Sequence, residues 1–418
     1  MTDTQTIPGS GETQRAAVIF VFFVLMLDVL SMGIIIPVLP SLIKGFLGND
    51  TPRAVEIGGY LGTGWAVMQF FCTPIQGSLS DRFGRRPVLL LSMMGLGLDY
   101  ILMALAPNLW WLAAGRLISG ATAASFSTAN AYIADVTPVE KRPAAFGLMG
   151  AAFGVGFVLG PALGGYLGVL DPRLPFWLAA GLTLLNAAYG YFILPESLPK
   201  ERRMPFSLLR ANPIGSFNLL GSNRKIAGLA GANFFYMIGH NVYPAVFVWF
   251  AQYRYGWDPK MVGFALMLVG IMSILVNGVL VGPIVKLLGT RHSILTGLAF
   301  GIIGFLLYAV GPTSAWVWVA IPVAALWGIY GPAAQTVMTQ AVDPHMQGQL
   351  QGGLASLMGL ASIISPGLYT QIFAHAIDPA LGINLPGAPF YLAAFLLTCA
   401  FALAWRATKP EAAPAAAE

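Results

Sequence analysis

The sequence predicts an all-α membrane protein with twelve transmembrane helices, arranged as two repeats of six helices. Of its 418 residues, 57% are hydrophobic and 9% are charged, and the mean hydropathy is +0.73. Soluble domains carry about 25% charged residues, so this composition excludes an ordinary soluble enzyme. The apolar residues also form blocks of about 20, which is the length that crosses a bilayer as a helix.

Short polar loops separate the twelve blocks, and one long polar stretch lies in the middle of the chain. We therefore expect an N-terminal six-helix bundle over 1–195, a cytoplasmic linker over 196–224 and a C-terminal six-helix bundle over 225–418. The predicted spans, numbered 1 to 12 in chain order, are 16–39, 57–79, 87–106, 109–133, 144–168, 176–194, 225–250, 260–285, 292–311, 315–341, 348–374 and 387–407.

Basic residues predict the orientation of these helices. Most of the 22 Lys and Arg residues lie on the side of the membrane that also holds both termini and the linker. Because cytoplasmic loops are enriched in Lys and Arg, both termini are predicted to be cytoplasmic. The same asymmetry explains the net charge of +5 without a nucleic-acid partner.

The two halves of the sequence resemble each other. At one constant offset, residues 77–86 after span 2 align with residues 282–291 after span 8, and Pro161 in span 5 aligns with Pro366 in span 11. Parallel repeats of this kind are typical of transporters with a binding site near the bilayer midplane. The aligned pairs in the loops are Gly77 with Gly282, Gly84 with Gly289, and Arg86 with Arg291.

Two of the 17 acidic residues, Asp28 and Asp99, lie near the middle of predicted spans. A charged group at that depth costs at least about 2.5–3.5 kcal/mol, and burial favours the neutral acid. Such a carboxyl group can take up and release a proton if its surroundings alternate, as a proton-coupled transporter requires. The alternative is that each acid stays protonated and bonds a neighbouring helix.

Arg116 is the one basic residue inside a predicted span. Arginine stays charged, so it needs a carboxylate, carbonyl groups or water nearby. Ser119 and Ser127 share its helical face and make it small and polar. We interpret Arg116 as a group that favours the charged form of a nearby carboxylate, Asp28 above all; alternatively it anchors span 1 to span 4.

Polar residues of other spans are candidates for a substrate cavity. Amides, an imidazole and neighbouring aromatic rings suit an amphiphilic ligand with an apolar body. Each of these residues taken alone is more often a helix-packing residue, so the prediction depends on all of them together. The candidates are Gln69, Asn130, His240, Asn241, Asn277 and Gln335.

Catalytic and metal-binding motifs are absent from the sequence, which has no GxSxG, Walker lysine loop, HExxH or His/Cys cluster. We therefore predict that the protein is not an enzyme and needs no cofactor or metal. The expected partners are a small-molecule substrate, protons and the lipid bilayer, and the protein is expected to act as a monomer.

Three motifs resemble those of the major facilitator superfamily. Residues 77–87, Gly-Ser-Leu-Ser-Asp-Arg-Phe-Gly-Arg-Arg-Pro, resemble its signature between helices 2 and 3. Residues 115–120 around Arg116 resemble its helix 4 motif, and residues 156–165 resemble the helix 5 motif associated with antiporters. The resemblance implies the major facilitator fold.

Within that superfamily, the sequence is most similar to the tetracycline/proton antiporters of drug-resistant bacteria. The likeness implies that Asp28 and Asp99 are linked to transport and that the protein lies in the inner membrane. It also implies that Asp81 and Arg85 gate the inner face through neighbouring helix ends. A helix N-terminus would attract Asp81, and Asp135 is the expected partner of Arg85. The likeness rests on residues 27–40, 80–91, 98–100, 133–135, 255–264 and 349–352.

The sequence departs from that family at two positions. Its members have an acid in helix 9, and some have a histidine in helix 8; here Gly301 and Ser273 align with them. The resemblance therefore implies an antiporter more firmly than it implies tetracycline as the substrate.

Taken together, the residues and the resemblance predict a proton-coupled antiporter that exports a small amphiphilic drug, as tetracycline-resistance pumps do. Two alternatives remain: a proton-coupled importer of a sugar or organic acid, and a membrane receptor or assembly factor that transports nothing.

Overall fold

The computed structural model describes residues 11–123, 125–206, 220, 224–343 and 346–409. Most of the predicted linker, residues 207–219 and 221–223, lies outside this part of the chain. The described residues form helices and turns without any strand, so the predicted all-α class is confirmed.

The first half of the chain forms eight helices among the described residues. Predicted span 4 is divided into α5 and α6, and the short helix α2 follows span 1. The helices are α1 Gly11–Ile35, α2 Leu39–Phe46, α3 Thr51–Phe83, α4 Arg85–Leu105, α5 Leu109–Thr122, α6 Ser125–Val136, α7 Arg142–Leu170 and α8 Leu174–Ile193.

The second half also forms eight helices among the described residues. A π turn, Val276–Leu280, separates α11 from α12, and a 3₁₀ turn, Leu326–Ile329, separates α13 from α14. The helices are α9 Arg224–His240, α10 Val242–Tyr255, α11 Pro259–Leu275, α12 Val281–Val310, α13 Ala315–Ala325, α14 Tyr330–Gln340, α15 Gln347–Ala376 and α16 Ala388–Ala407.

Nine helical stretches of the described chain are long and apolar enough to cross a membrane. One of them, Pro259–Val310, has 52 residues and contains predicted span 8 and all but the last residue of predicted span 9. The non-helical backbone of Gly289 divides α12 between these two spans. Predicted spans 2 and 4 are helical but are not among the nine. Span 2 has a polar face along α3, and span 4 is interrupted between α5 and α6. The chain is thus a multi-pass membrane protein.

The fold divides into two compact units. Among the described residues, the first contains 11–49, 64–123, 125–206 and 257–270, and the second contains 50–63, 220, 224–256, 271–343 and 346–409. Two helices are therefore divided between the units. The start of α3 belongs to the second unit, and most of α11 belongs to the first.

Close glycine contacts hold α7 against α1 in the first unit. A Cβ atom at Gly156 would lie 2.7 Å from the carbonyl oxygen of Met26, and one at Gly160 would lie 2.7 Å from that of Leu30. Because these glycines recur every four residues, they form one face along which two helix backbones approach closely. The glycine-rich segment of span 5 is thus a packing surface.

Candidate transport sites

The two intramembrane acids are buried in the first unit. Asp28 on α1 has 6% of its surface exposed, and Asp99 on α4 has none. Gly115 on α5 leaves the space that Asp99 needs, since a Cβ atom at position 115 would lie 2.5 Å from its Oδ1 atom. The glycine before Arg116 therefore has a steric role beside the acid.

Arg116 lies next to this acid pair. It interacts electrostatically with Asp99 and Tyr100, and its guanidinium group lies 5.3 Å from the centre of the Trp65 ring. Tyr100 is also within electrostatic reach of Asp28. We call Asp28, Asp99, Tyr100 and Arg116 the acid cluster.

The acid cluster gives Arg116 a partner that the sequence did not predict. Asp28 was the expected acid for Arg116, and the structure also places Asp99 within electrostatic reach of it. The reason is local: α4 and α5 are joined by only three residues, 106–108, and pack against each other. The end of α4 that carries Asp99 therefore meets the part of α5 that carries Arg116.

Other polar residues of the first unit connect helices around this region. The side-chain amide of Gln76 donates to the carbonyl oxygen of Ala121, and the Ser92 hydroxyl lies 3.4 Å from Gln76 Oε1. Of the predicted substrate-cavity residues, Gln69 is half-buried on α3 and Asn130 is half-buried on α6.

A network of charges surrounds the turn between α3 and α4. Arg85 Nη1 lies 2.5 Å from Asp81 Oδ1 and 2.7 Å from Ser80 Oγ, and Arg85 Nε lies 3.1 Å from Asp135 Oδ2. The Arg85 side chain is only 12% exposed. The expected contact between Arg85 and Asp135 is therefore present, and it joins the α3–α4 turn to α6.

Glu196, which the sequence analysis did not select, provides the carboxylate at the N-terminus of α4. Its oxygens accept hydrogen bonds from the backbone N–H groups of Arg85 at 2.8 Å and Arg86 at 3.3 Å. We expected Asp81 to serve a helix N-terminus, but Asp81 lies in the last turn of α3 and pairs with Arg85. The turn residue Gly84, with φ = 108°, leaves room for Glu196 because it has no side chain. In the sequence, the position of Glu196 directly after predicted span 6 was the feature that could have pointed to it.

The second unit contains a group of aromatic rings around His240. The imidazole stacks on the Trp327 ring with 4.4 Å between ring centres, and Tyr236 lies 5.4 Å from Trp327. His240 is exposed, whereas Trp327 and Tyr236 are half-buried.

The remaining predicted cavity residues of the second unit have separate places. Asn277 is exposed in the π turn, and its Nδ2 atom donates to the carbonyl oxygen of Ser273 at 3.0 Å. Asn241 lies between α9 and α10. Gln335 is half-buried on α14, where its backbone carbonyl oxygen accepts a hydrogen bond from Thr339 Oγ1 at 2.9 Å.

Membrane-length apolar helices, buried intramembrane acids and a charged loop network together define a multi-pass membrane transporter. Comparison with known families narrows this class. The description "Major Facilitator Superfamily" belongs to a family model that matches residues 21–366 and again residues 229–418. The chain belongs to the Major Facilitator Superfamily.

Curated relatives place it within the drug-efflux branch of that superfamily. The chain is 40% identical over 380 residues to "Tetracycline resistance protein, class C" from Escherichia coli, covering 90% of this chain and 94% of the relative. It is 34% identical over 400 residues to the class B protein from Escherichia coli, covering 90% and 94%. The resemblance inferred from the motifs is confirmed.

Solved structures with lower identity share the fold. The human organic anion transporter MFSD10 (TETRAN) is 23% identical and superposes with a TM-score of 0.68, covering 96% of this chain and 100% of that one. The nucleoside transporter NupG is 13% identical with a TM-score of 0.75, covering 94% of this chain and 100% of that one.

Proposed function

We propose that the protein is a proton-coupled antiporter that exports a small amphiphilic drug. The observation that carries the proposal is the acid cluster, in which two buried carboxyl groups, a tyrosine and an arginine share one place in the first unit. A buried carboxyl group is stable when neutral, and a nearby cation stabilises its charged form. Small movements of Arg116 would therefore change the proton affinity of Asp99.

Asp28 is the proposed proton and substrate switch, assisted by Asp99 and Arg116. Substrate that enters from the cytoplasm favours release of the proton, and a proton from outside returns the carrier to its starting state. Any pump of this type needs the two events to exclude each other. Burial of Asp28 supports this role because a solvated carboxyl group would ionise independently of the substrate.

The network of Arg85, Asp81 and Asp135 is the proposed inner gate. It joins the ends of three elements through one guanidinium group, so movement of α6 relative to α3 would break an ion pair. We further propose a bacterial inner-membrane protein with twelve spans in two six-helix repeats, with the bundles and linker bounded as the sequence predicts. Both termini are cytoplasmic, and the functional unit is a monomer.

Tetracycline is the first substrate to test, because relatives that match nine-tenths of the chain bear its name. The two departures from the family pattern affect this choice. A Cβ atom at Gly301 would lie 2.7 Å from Leu397 Cδ1 and 3.3 Å from Trp327 Cβ. An acidic side chain at position 301 would have to displace this packing, so the second unit of this protein recognises its substrate with other groups.

The decisive experiment measures proton movement in liposomes that contain the purified protein. Tetracycline and a panel of other drugs are added under a fixed pH gradient, and the wild type is compared with Asp28→Asn. We expect a drug-evoked proton flux in the wild type that is lost in Asp28→Asn, because an amide cannot carry the proton. Asp171→Asn, at an exposed loop position, is the matched control and retains the flux.

Three outcomes would contradict the proposal. If drugs move protons equally well in Asp28→Asn, Asp28 is not the coupling group. If substrate and proton move in the same direction, the protein is an importer. If neither drugs, sugars nor organic acids move protons through folded protein, the receptor or assembly-factor alternative is favoured.

A further inference from the structure

Helix irregularities meet at one place in the second unit. Helix α9 ends at His240, the π turn holds Asn277, and the 3₁₀ turn holds Trp327. The π turn and the 3₁₀ turn pack against each other. Such interruptions in membrane helices are tolerated where the backbone is buried in protein or lines a cavity, and π turns are frequent at functional sites.

The side chains at these interruptions form a stack of flat rings, which we call the aromatic shelf: Tyr236, His240 and Trp327. The His240 and Trp327 rings are inclined by 28° with centres 4.4 Å apart, and the Tyr236 and His240 rings are inclined by 16° with centres 6.4 Å apart. Tyr330, which is fully buried, packs 4.3 Å from Tyr236 and supports it.

Buried rings support the shelf, and one of its members is exposed. Its supporting rings include Phe305, which lies edge-on to Trp327 at 5.5 Å and is fully buried. Its outermost member, His240, is exposed. An exposed ring at the middle of a predicted span, with two other rings behind it, provides a flat surface on which another ring can stack.

A hydrogen-bonding group borders the shelf. A Cβ atom at Gly328 would lie 3.3 Å from Asn277 Nδ2, so the Asn277 amide lies beside the residue that follows Trp327. Asn277 is exposed, and while its Nδ2 atom donates to Ser273, its amide oxygen is an acceptor that a ligand can use. A ligand that stacks on the shelf therefore has a polar group available at its edge.

We propose that the aromatic shelf binds a planar aromatic ring of the exported compound, with Asn277 bonding a polar substituent on that ring. The proposal rests on the proposed export function, and in it the second unit binds the aromatic part of the exported compound. Stacking of flat rings selects for shape and polarisability and requires no charge on the ligand, which fits a unit whose predicted span 9 has no charged residue.

Equilibrium binding tests the shelf without reference to proton movement. The full-length protein in lipid nanodiscs is dialysed against tetracycline and, separately, against ethidium, a planar aromatic dye. The variants are Trp327→Leu, which removes a flat ring, and Trp327→Phe, which keeps one. Trp110→Leu is the control, because Trp110 is 83% exposed on another helix.

We expect Trp327→Leu to raise the Kd of both probes about 2- to 12-fold, the value of one aromatic pair. Trp327→Phe and Trp110→Leu stay near the wild-type value. If Trp327→Leu does not fold, His240→Leu and His240→Phe provide a second pair. We expect His240→Leu to raise the Kd and His240→Phe to leave it near the wild-type value.

Equal affinities of the leucine and phenylalanine variants would overturn the proposal, as would failure of the wild type to bind either probe. Either result is distinct from failure of the export function, because proton flux evoked by other compounds in liposomes would persist. A protein that binds both probes through the shelf but moves no protons would support the shelf and contradict the antiporter.

Discussion

The turns at Gly84 and Gly289, which the sequence alignment of the two halves pairs, share one backbone conformation. Gly84 has φ = 108° and ψ = 159°, and Gly289 has φ = 74° and ψ = 162°. Two residues later, Arg86 and Arg291 each lie over a ring near the end of the last helix of their own half, Tyr191 on α8 at 5.7 Å and Trp405 on α16 at 5.1 Å. The turn and the stacked arginine thus recur as a pair.

The charges around the two turns differ. Asp81 and Arg85 of the first turn align with Lys286 and Thr290 of the second, so the ion pairs of the first turn have no equivalent there. Two features of the turns can thus be considered separately. Both halves have a glycine turn and a stacked arginine, whereas the charges proposed to form a gate belong to the first turn.

Alanine at the two glycines should give the largest difference in stability. Both backbones lie in a region that is almost exclusive to glycine, which costs other residues about 1–3 kcal/mol. At Gly84 the new methyl group would also overlap the Glu196 carboxylate, while nothing lies within 4 Å at Gly289. We expect Gly84→Ala to lower the thermal unfolding temperature in detergent more than Gly289→Ala. Equal losses would show that Glu196 moves aside without cost.

The second prediction removes the charge that distinguishes the first turn. Arg85→Ala leaves Asp81 and Asp135 without their shared partner, and each such charged hydrogen bond is worth about 1.5–3 kcal/mol. If the bonds exist in only one state of the transport cycle, the change shifts the equilibrium between states about tenfold or more. We expect drug-evoked proton flux to fall to roughly that extent.

Thr290→Ala at the aligned position of the second turn is the matched control and should transport like the wild type. The pair also tests the assignment of the gate: similar losses in both variants would mean that each turn contributes to transport. If Arg85→Ala loses proton flux and Arg85→Lys retains it, the gate requires only a positive charge. The ability of the guanidinium group to bond two acids at once is then not required.

These turns illustrate what the sequence could and could not predict. The repeat alignment selected both glycines, and the resemblance selected Asp81, Arg85 and Asp135, because these residues lie in short motifs. Glu196 was missed because its partners lie 111 and 110 residues away in the chain, and no local pattern encodes that contact. The pairing of Arg116 with Asp99 depended likewise on how two neighbouring helices pack.

The aromatic shelf was predictable only in part. His240 and Asn277 were selected as polar residues within apolar spans, and Trp327 was one of the aromatic rings expected beside them, but Tyr236 resembles an ordinary packing residue in the sequence. The meeting of these rings depends on a π turn and a 3₁₀ turn that hydrophobic periodicity does not reveal.

Glu196 provides the third prediction. Glu196→Ala removes a carboxylate that accepts backbone N–H groups at the start of α4, and loss of such a cap costs about 0.5–2 kcal/mol. Glu201→Ala, at an exposed position five residues further along, is the control. We expect a fall in thermal stability for Glu196→Ala alone. The aligned segment around Gly289, residues 282–291, contains no acidic residue. If Glu196→Ala is as stable as the wild type, neither turn needs a carboxylate at the start of the helix that follows it.

The smallest expected effect concerns the feature that both turns share. Arg86→Lys and Arg291→Lys keep the positive charge but remove the flat guanidinium group that lies over Tyr191 and Trp405. Cation–π contacts at exposed sites are worth about 0.5–1 kcal/mol, and lysine retains part of this attraction. The two variants should therefore lose similar, small amounts of stability while proton flux stays near the wild-type value. If Arg86→Lys reduced flux and Arg291→Lys did not, the stacked arginine of the first half would belong to the gate as well as to the fold.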